Sequence, residues 1–393
     1  MSGKRQAHRF TDHPRRVGLD PWLMLVTAAL LAVGIVMVTS TSIVIAESQD
    51  LSRWHYVIRH IFFIGAGLLA CLAFVVIPTA WLEKFGAVAL VAALVLMVLP
   101  FVPGLGHTAN GSTRWINLGV ANFQVVEAAK LLMIIFMASY LAKRPRLDRV
   151  PWHNTFAPLL VVAVLAALLL KQPDLGSVIV IGVIVVGLIW FAGASMKHLG
   201  ILALCTAPPL TFAALEPYRW RRVVSFIDPW ADPFNAGFQL TQALIAVGRG
   251  EIAGVGLGAS IQKLFYLPEA HTDFIFAVYA EEFGLIGIVI ILALFGLLIG
   301  RMLSIGLQAH QMDKPFAAFC TWGVALWLGL QAAVSIGVNL GALPTKGLTL
   351  PLISSGGSSI LMTLIAIGLV CRVQWELQTE RLSQPRRRQR YAV

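Results

Sequence analysis

The chain has 393 residues, of which 58% are hydrophobic and only 12% charged, and its mean hydropathy is +0.79. These values exclude a soluble globular domain and a disordered chain, and they describe a polytopic membrane protein. The formal charge is +11, but much of it lies in two short tails, Lys4, Arg5, Arg9, Arg15 and Arg16 at one end and Arg381, Arg386, Arg387, Arg388 and Arg390 at the other. Tails of this kind suit an anionic lipid surface; lacking an aromatic platform, they do not read as a nucleic-acid site.

A helix needs about twenty apolar residues to cross a bilayer. Runs of that kind fall near 22–46, 61–78, 85–103, 125–142, 154–170, 175–194, 199–215, 274–300, 315–340 and 351–371, which predicts an all-α protein with ten transmembrane helices. No small-residue cleavage site follows the first run, so it reads as an anchor. With residues 1–19 as a basic cytoplasmic tail, Lys84, the Lys143–Arg149 cluster, Lys197, Arg301, Lys314 and the basic tail 376–393 all fall on the cytoplasmic side. Both termini are then inside, and one membrane domain spans 20–375 with a large external loop, about 216–273, between helices seven and eight. Cys71, Cys205, Cys320 and Cys371 each sit in an apolar run without ligand spacing and read as small core residues.

In chain order, the first polar cluster is 110–117, where Arg114 stands beside Trp115. Trp115 fits an interfacial anchor, and Arg114 places a cation close to the next helix. In that helix Glu127 and Lys130 are three apart and share a face, which in a membrane must point into the bundle. They fit either a structural ion pair or a group that holds an anion. Gln172-Pro173-Asp174 is a tight turn in which Asp174 is placed to cap the following helix.

The loop 216–273 carries Arg219, Arg221, Arg222, Arg249 and Lys263 on the side where basic residues are normally sparse. A phosphorylated ligand would account for them, since Arg forks match phosphate oxygens; so would headgroups or pairing with nearby acids. Gly254, Gly256 and Gly258 lack the preceding strand and following acid of a dinucleotide site.

At the end of this loop Glu269, His271, Asp273, Glu281 and Glu282 gather where a polar segment enters an apolar helix. Charge there is costly, about 2.5–3.5 kcal/mol for an Asp at mid-bilayer, and it usually marks function. Asp273 also has the position of an N-cap. Finally, 339–359 packs Lys346, two prolines, Gly356-Gly357 and four serines, including Ser358, into the start of a spanning segment. Irregular backbone at that depth requires protein or a water-filled cavity beside it. The whole describes an outward-opening cavity, suited to an enzyme acting on a phosphorylated lipid or to a transporter that moves one.

With these residues in place the chain resembles the SEDS family (shape, elongation, division and sporulation) over 20–375. The resemblance is carried by Asn110-Gly-Ser-Thr-Arg-Trp, Phe123-Gln-Val-Val-Glu-Ala-Ala-Lys, Gln172-Pro-Asp-Leu-Gly, Pro229-Trp-Ala-Asp-Pro, Leu267-Pro-Glu-Ala-His-Thr-Asp-Phe-Ile-Phe-Ala-Val, Pro344-Thr-Lys-Gly and Ile353-Ser-Ser-Gly-Gly-Ser-Ser. It implies a peptidoglycan glycosyltransferase that polymerises lipid II at the cytoplasmic membrane, in the septal branch of the family, with a class B penicillin-binding transpeptidase and other division proteins as partners. It further implies Asp273 as the catalytic residue, Glu127, Lys130, Arg114, Arg219, Arg221, Lys346, His271 and Ser358 as substrate-binding residues, and a divalent cation, Mg²⁺ or Mn²⁺, as cofactor. A lipid II flippase, an elongation-type polymerase and a scaffold that only recruits the transpeptidase remain as alternatives.

Overall fold

The computed structural model describes residues 18–109, 112–117, 119, 122–144 and 152–390, apart from the side chains of 109, 152–156, 207–210, 212–214, 217–219 and 384–390. It is a helical membrane protein. Asp20 opens helix α1 (Pro21–Ser48) by accepting from the Leu23 amide at 2.9 Å, and Pro21 occupies the first position, where no amide is needed. Then come α2 (His55–Val76), α3 (Thr79–Lys84), α4 (Gly86–Val98) and a 3₁₀ turn (Leu99–Phe101). Strands β1 (Gly106–Ala109), β2 (Ser112–Asn117) and β3 (Asn122–Gln124) form a small antiparallel sheet in the order β1-β2-β3 and lead into α5 (Val125–Ala142). The all-α expectation is corrected to that extent. Very short strands in a polar stretch leave no alternating apolar pattern to read.

Helices α6 (Trp152–Lys171), α7 (Leu175–Phe191) and α8 (Met196–Ala214) follow, and the segment expected as a loop carries two further helices, α9 (Pro217–Ile227) and α10 (Phe238–Arg249). The chain closes with α11 (Ile275–Gln311), α12 (Pro315–Asn339) and α13 (Gly357–Arg390). Among the described residues six helices, α1, α2, α5, α11, α12 and α13, are long and apolar enough to cross a membrane, and four shorter apolar helices accompany them. Helices α5, α12 and α13 are buried around most of their circumference and form the middle of the bundle, with α2 packed on α13, α11 on α12 and α4 on α5. Cys71, Cys320 and Cys371 are buried as expected, whereas Cys205 faces outward from α8.

At the bundle end away from Asp273, Arg301 of α11 donates to the Asp20 carboxylate. Helix α13 runs past residue 375 without a break, and Glu376 accepts from the Thr79 amide at 3.0 Å while Gln378 accepts from the Gly18 amide at 3.2 Å. The start of the basic tail is therefore packed structure.

Helix α11 is broken at Gly284, with φ 63° and ψ −160°. The carbonyls of Glu281 and Glu282 accept from the amides of Val255 and Gly256 at 3.0 and 3.1 Å, and the amides of Leu285 and Ile286 donate to the carbonyls of Glu251 and Ile252. A lipid environment offers freed backbone groups no partner, so the glycine-rich loop supplies them. A Cβ at Gly284 would stand 2.4 Å from the Gly254 nitrogen, so only glycine fits. This is the work of the glycine run.

Candidate active site

Asp273 lies in the turn just before α11, and its backbone is held from the opposite side of the bundle end. The carbonyls of His271, Thr272 and Asp273 each accept a hydrogen bond, from the Ser355 amide (3.0 Å), the Ser354 hydroxyl (2.7 Å) and the Asn339 side-chain amide (3.0 Å). This is how the irregular segment 339–359 satisfies its polar groups. Asp273 is not the cap of α11: Phe274 holds the cap position without a side-chain bond, and Asn339 accepts from the Ala277 amide at 2.9 Å.

The Asp273 carboxylate points at Gly347 beside a narrow cavity lined by Arg114, Asp174, Arg222, Lys346 and Gly347. Burial and the nearby Glu269 push its pKa from the ordinary value up to about 7, against the pull of Arg114 and Arg222. Arg114 is fixed by donating to the carbonyls of Gln172 and Pro173 at 2.9 and 2.7 Å, and Asp174 caps α7 by accepting from the Ser177 amide at 3.1 Å. The β2 strand and the turn before α7 thus form one unit that carries a cation to within reach of Asp273.

Arg222 joins this cavity to a larger cleft of about 740 Å³ lined by Trp220, Arg221, Asp228, Gln239, Pro268 and Thr345. It donates to the Thr345 carbonyl at 3.4 Å. Helix α9 is amphipathic, with Trp220, Val224 and Ile227 exposed, and Trp220, Arg221, Arg222, Val224 and Ser225 lining the cleft. On the other side of the turn, His271 lines a separate cavity of about 210 Å³ with Tyr56, Arg59, His60 and Ser355. Burial holds the His271 pKa below the ordinary imidazole value.

Of the residues singled out in the sequence, Arg114 and Lys346 line one cavity, Asp273 lies behind its Gly347 wall, Arg221 lines the adjoining cleft, and His271 faces the other side. The Arg219 side chain lies outside the described residues, as do Asn110 and Gly111. Three residues are placed elsewhere. The Lys130 ammonium donates to Glu127 at 2.8 Å and to Gln331 at 2.7 Å and sits 4.9 Å from the Trp327 ring centroid, all in the dry middle of the bundle. Gln331 passes this network on by donating to the Thr349 carbonyl at 3.0 Å, so the pair supports the 339–359 segment from below and does not line the cavity. Ser358 is buried and accepts from the Gln124 amide at 2.9 Å, fixing the entrance to α5.

Glu281 and Glu282 also turn away from Asp273. Glu281 pairs with Arg249 at 2.8 Å and Glu282 with Lys263 at 2.7 Å, which accounts for two of the basic residues in the 216–273 loop without a ligand. Arg222 is one of the loop cations that a phosphorylated ligand would account for but is not among the residues the family resemblance implies, and Asn339 has no role assigned from the sequence. The amphipathic spacing of 217–227 carries a signal for Arg222; nothing in the sequence distinguishes Asn339 from a helix-end residue.

The donor set does not make a cation cage. Among the described residues no group of three or more His, Cys, Asp or Glu converges. A divalent ion here would need substrate phosphates for most of its ligands, as Mg²⁺ commonly does.

The family described as "Cell cycle protein", comprising FtsW, RodA and SpoVE, matches residues 21–379. A protein of Alkalilimnicola ehrlichii named "Probable peptidoglycan glycosyltransferase FtsW" is 48% identical over 374 residues, covering 95% of this chain and 93% of its own. One of the same name from Coxiella burnetii is 46% identical over 361 residues, covering 91% and 97%. Among solved structures, a chain from work described as "Structural coordination of polymerization and crosslinking by a peptidoglycan synthase complex" superposes with a TM-score of 0.75 at 32% identity, covering 92% of this chain and 99% of that one. Thermus thermophilus rod shape determining protein RodA gives 0.67 at 29% identity, covering 92% and 98%. With a match that spans nearly the whole chain, the protein belongs to the FtsW/RodA/SpoVE family of cell cycle proteins.

Proposed function

We propose that this protein is a peptidoglycan glycosyltransferase that joins lipid II units into glycan strands at the division septum, with Asp273 as its general base. The observation that carries the reading is a carboxylate near neutral pKa at a cavity lined by Arg114, Arg222 and Lys346. A pKa close to the working pH is what a general base requires, and positioned proton transfer contributes about 10² to 10⁴ in rate. Names of relatives at up to 48% identity over most of the chain support the same activity.

In this mechanism Asp273 takes the proton from the 4-hydroxyl of the acceptor GlcNAc as that oxygen attacks the anomeric carbon of the donor sugar. The bond from that carbon to the diphosphate oxygen breaks, and the electron pair leaves with the lipid diphosphate. Arg222, Lys346 and Arg114 lie where they can offset the charge developing on that oxygen. A single displacement inverts the α-linked donor to a β linkage, with no covalent intermediate. Arg221 and the polar wall of the larger cleft give room for the bulky sugar-peptide part of the substrate.

The ten apolar segments are then all spans, both termini are cytoplasmic, and the Asp273 end faces outward, where a class B penicillin-binding transpeptidase would crosslink the product. A divalent cation is proposed as an accessory of the substrate diphosphate. Labelled lipid II given to the purified protein with its transpeptidase and Mg²⁺ should yield glycan ladders. Movement of lipid II across liposomes with no ladders would assign the cavity to a flippase instead.

A further inference from the structure

The turn that presents Asp273 has no cap of its own. Helix α11 begins at Ile275 with no side chain of the preceding turn capping its first amides, and the Phe274 and Ala277 amides donate to the carbonyls of Glu269 and Phe274 at 3.2 and 3.1 Å. Asn339, the last residue of α12, is completely buried and supplies the missing side-chain cap from the neighbouring helix, making three hydrogen bonds in all. Its side-chain oxygen accepts from the Ala277 amide at 2.9 Å, and its side-chain nitrogen donates to the Asp273 carbonyl at 3.0 Å and to the Ser335 carbonyl at 2.8 Å.

The two bonds to the α11 side straddle the residue that matters. One holds the peptide carbonyl of Asp273 itself, the other the amide one turn later, so together they fix both the height of the Asp273 backbone and the direction in which α11 leaves it. The third bond ties the Asn339 amide to its own helix and removes the freedom to swing. A side-chain carboxyl two bonds from a fixed Cα has only its rotamers left, and Gly347 limits those.

We infer that Asn339 is a positioning residue for Asp273, clamping the start of α11 to the end of α12 so that the carboxylate stays beside Gly347, Arg114 and Arg222. This rests on the glycosyltransferase reading for its effect on rate, but not for its effect on the carboxyl group. The clamp also makes the α11–α12 contact part of the site, although Asn339 itself lines none of the three cavities described above.

The charges that face Asp273 are Glu269 from its own turn, Arg114 from β2, Asp174 from the turn before α7 and Arg222 from α9, with Lys346 in the cavity wall. Releasing the clamp changes the distance to every one of them. In the full-length protein with its transpeptidase, Asn339→Ala should lower kcat by about 10- to 100-fold, the scale of a displacement near 1 Å, with KM for lipid II within about twofold. The acid limb of its pH–rate profile should move toward ordinary carboxylate values. Asn339→Ser, whose hydroxyl can still bond one backbone group, should fall between the two and guards against a variant that does not fold.

A second readout needs no turnover: the carboxyl stretch of Asp273, isolated in the infrared difference between native protein and Asp273→Asn, should titrate at lower pH in the Asn339 variants. An unchanged titration in folded Asn339→Ser, or a loss of rate that only follows the amount of folded protein, would overturn the inference. If the native protein makes no glycan but the titration shifts as stated, it is the glycosyltransferase reading that has failed and the clamp that stands.

Discussion

Gly347 lies against the carboxylate of Asp273 so closely that a Cβ at this position would stand 3.0 Å from Oδ2. A contact that short is tighter than side chains normally tolerate, and the atom that would have to yield is the reacting oxygen. Gly347→Ala should therefore lower the polymerisation rate by about tenfold or more while leaving the melting temperature in detergent within a few degrees. Steady-state kinetics beside a thermal melt checks this; an active Gly347→Ala would mean that the carboxylate works from another rotamer.

The raised pKa of Asp273 has consequences of opposite sign for rate and stability. As a base it must be deprotonated, so kcat/KM should fall as pH drops below about 7, with a limb absent from any residual activity of Asp273→Asn. For folding, the native state keeps a proton between about pH 4 and 7 that the unfolded chain has already released, so the carboxyl's contribution to stability declines as pH rises through that window and is level above it. Asp273→Asn should accordingly melt higher than the native protein at pH 8, with the difference closing toward pH 4. A difference that grows toward acid pH would contradict the assignment.

The Glu127–Lys130 pair should behave as architecture. Removing one partner from a buried pair costs about 3–5 kcal/mol because it strands the other charge, whereas replacing both is far milder. Lys130→Met alone should reduce the yield of folded protein severely, and Glu127→Gln with Lys130→Met should restore much of it. Fluorescence-detected size-exclusion yields of the single and double variants give this directly. Full folding with loss of substrate affinity in the single variant would instead return Lys130 to the binding site.

Much of the fold is legible because long apolar runs have one outcome in a bilayer: the runs at 125–142 and 315–340 match α5 and α12 within a residue. Asp273 is legible for the same reason, as a carboxylate at the head of such a run. What the sequence hides is which way each polar side chain turns. Glu281 and Glu282 stand within nine residues of Asp273, yet they pair with Arg249 and Lys263 of the loop packed beside the break at Gly284. Glu127 and Lys130 share the expected helix face, but Gln331 and Trp327, about two hundred residues on, are what Lys130 meets there. Ser358 sits in a serine-rich motif where Ser354 and Ser355 hold the Asp273 turn while Ser358 holds Gln124. In each case the partner comes from a distant element, and spacing along one helix cannot name it.

The break in α11 offers a test of the loop that covers it. Gly284→Ala forces a side chain into backbone atoms of Gly250, Ile252 and Gly254 at a positive φ, so it should abolish accumulation of folded protein. Arg249→Ala, which removes a half-exposed partner of the fully buried Glu281, should destabilise the protein less than Lys263→Ala, whose ammonium is itself buried against Glu282. Melting temperatures of the two variants order these effects, and the reverse order would show that the loop is held mainly through Glu281.

The most direct test of the central claim compares native protein with Asp273→Asn, each purified with the transpeptidase, in a single-turnover assay with labelled lipid II at pH 8. The account predicts that the native complex forms glycan and that the variant, folded and still bound to its partner and to lipid II, slows by about 10² or more. A folded Asp273→Asn complex that polymerises at the native rate would contradict it.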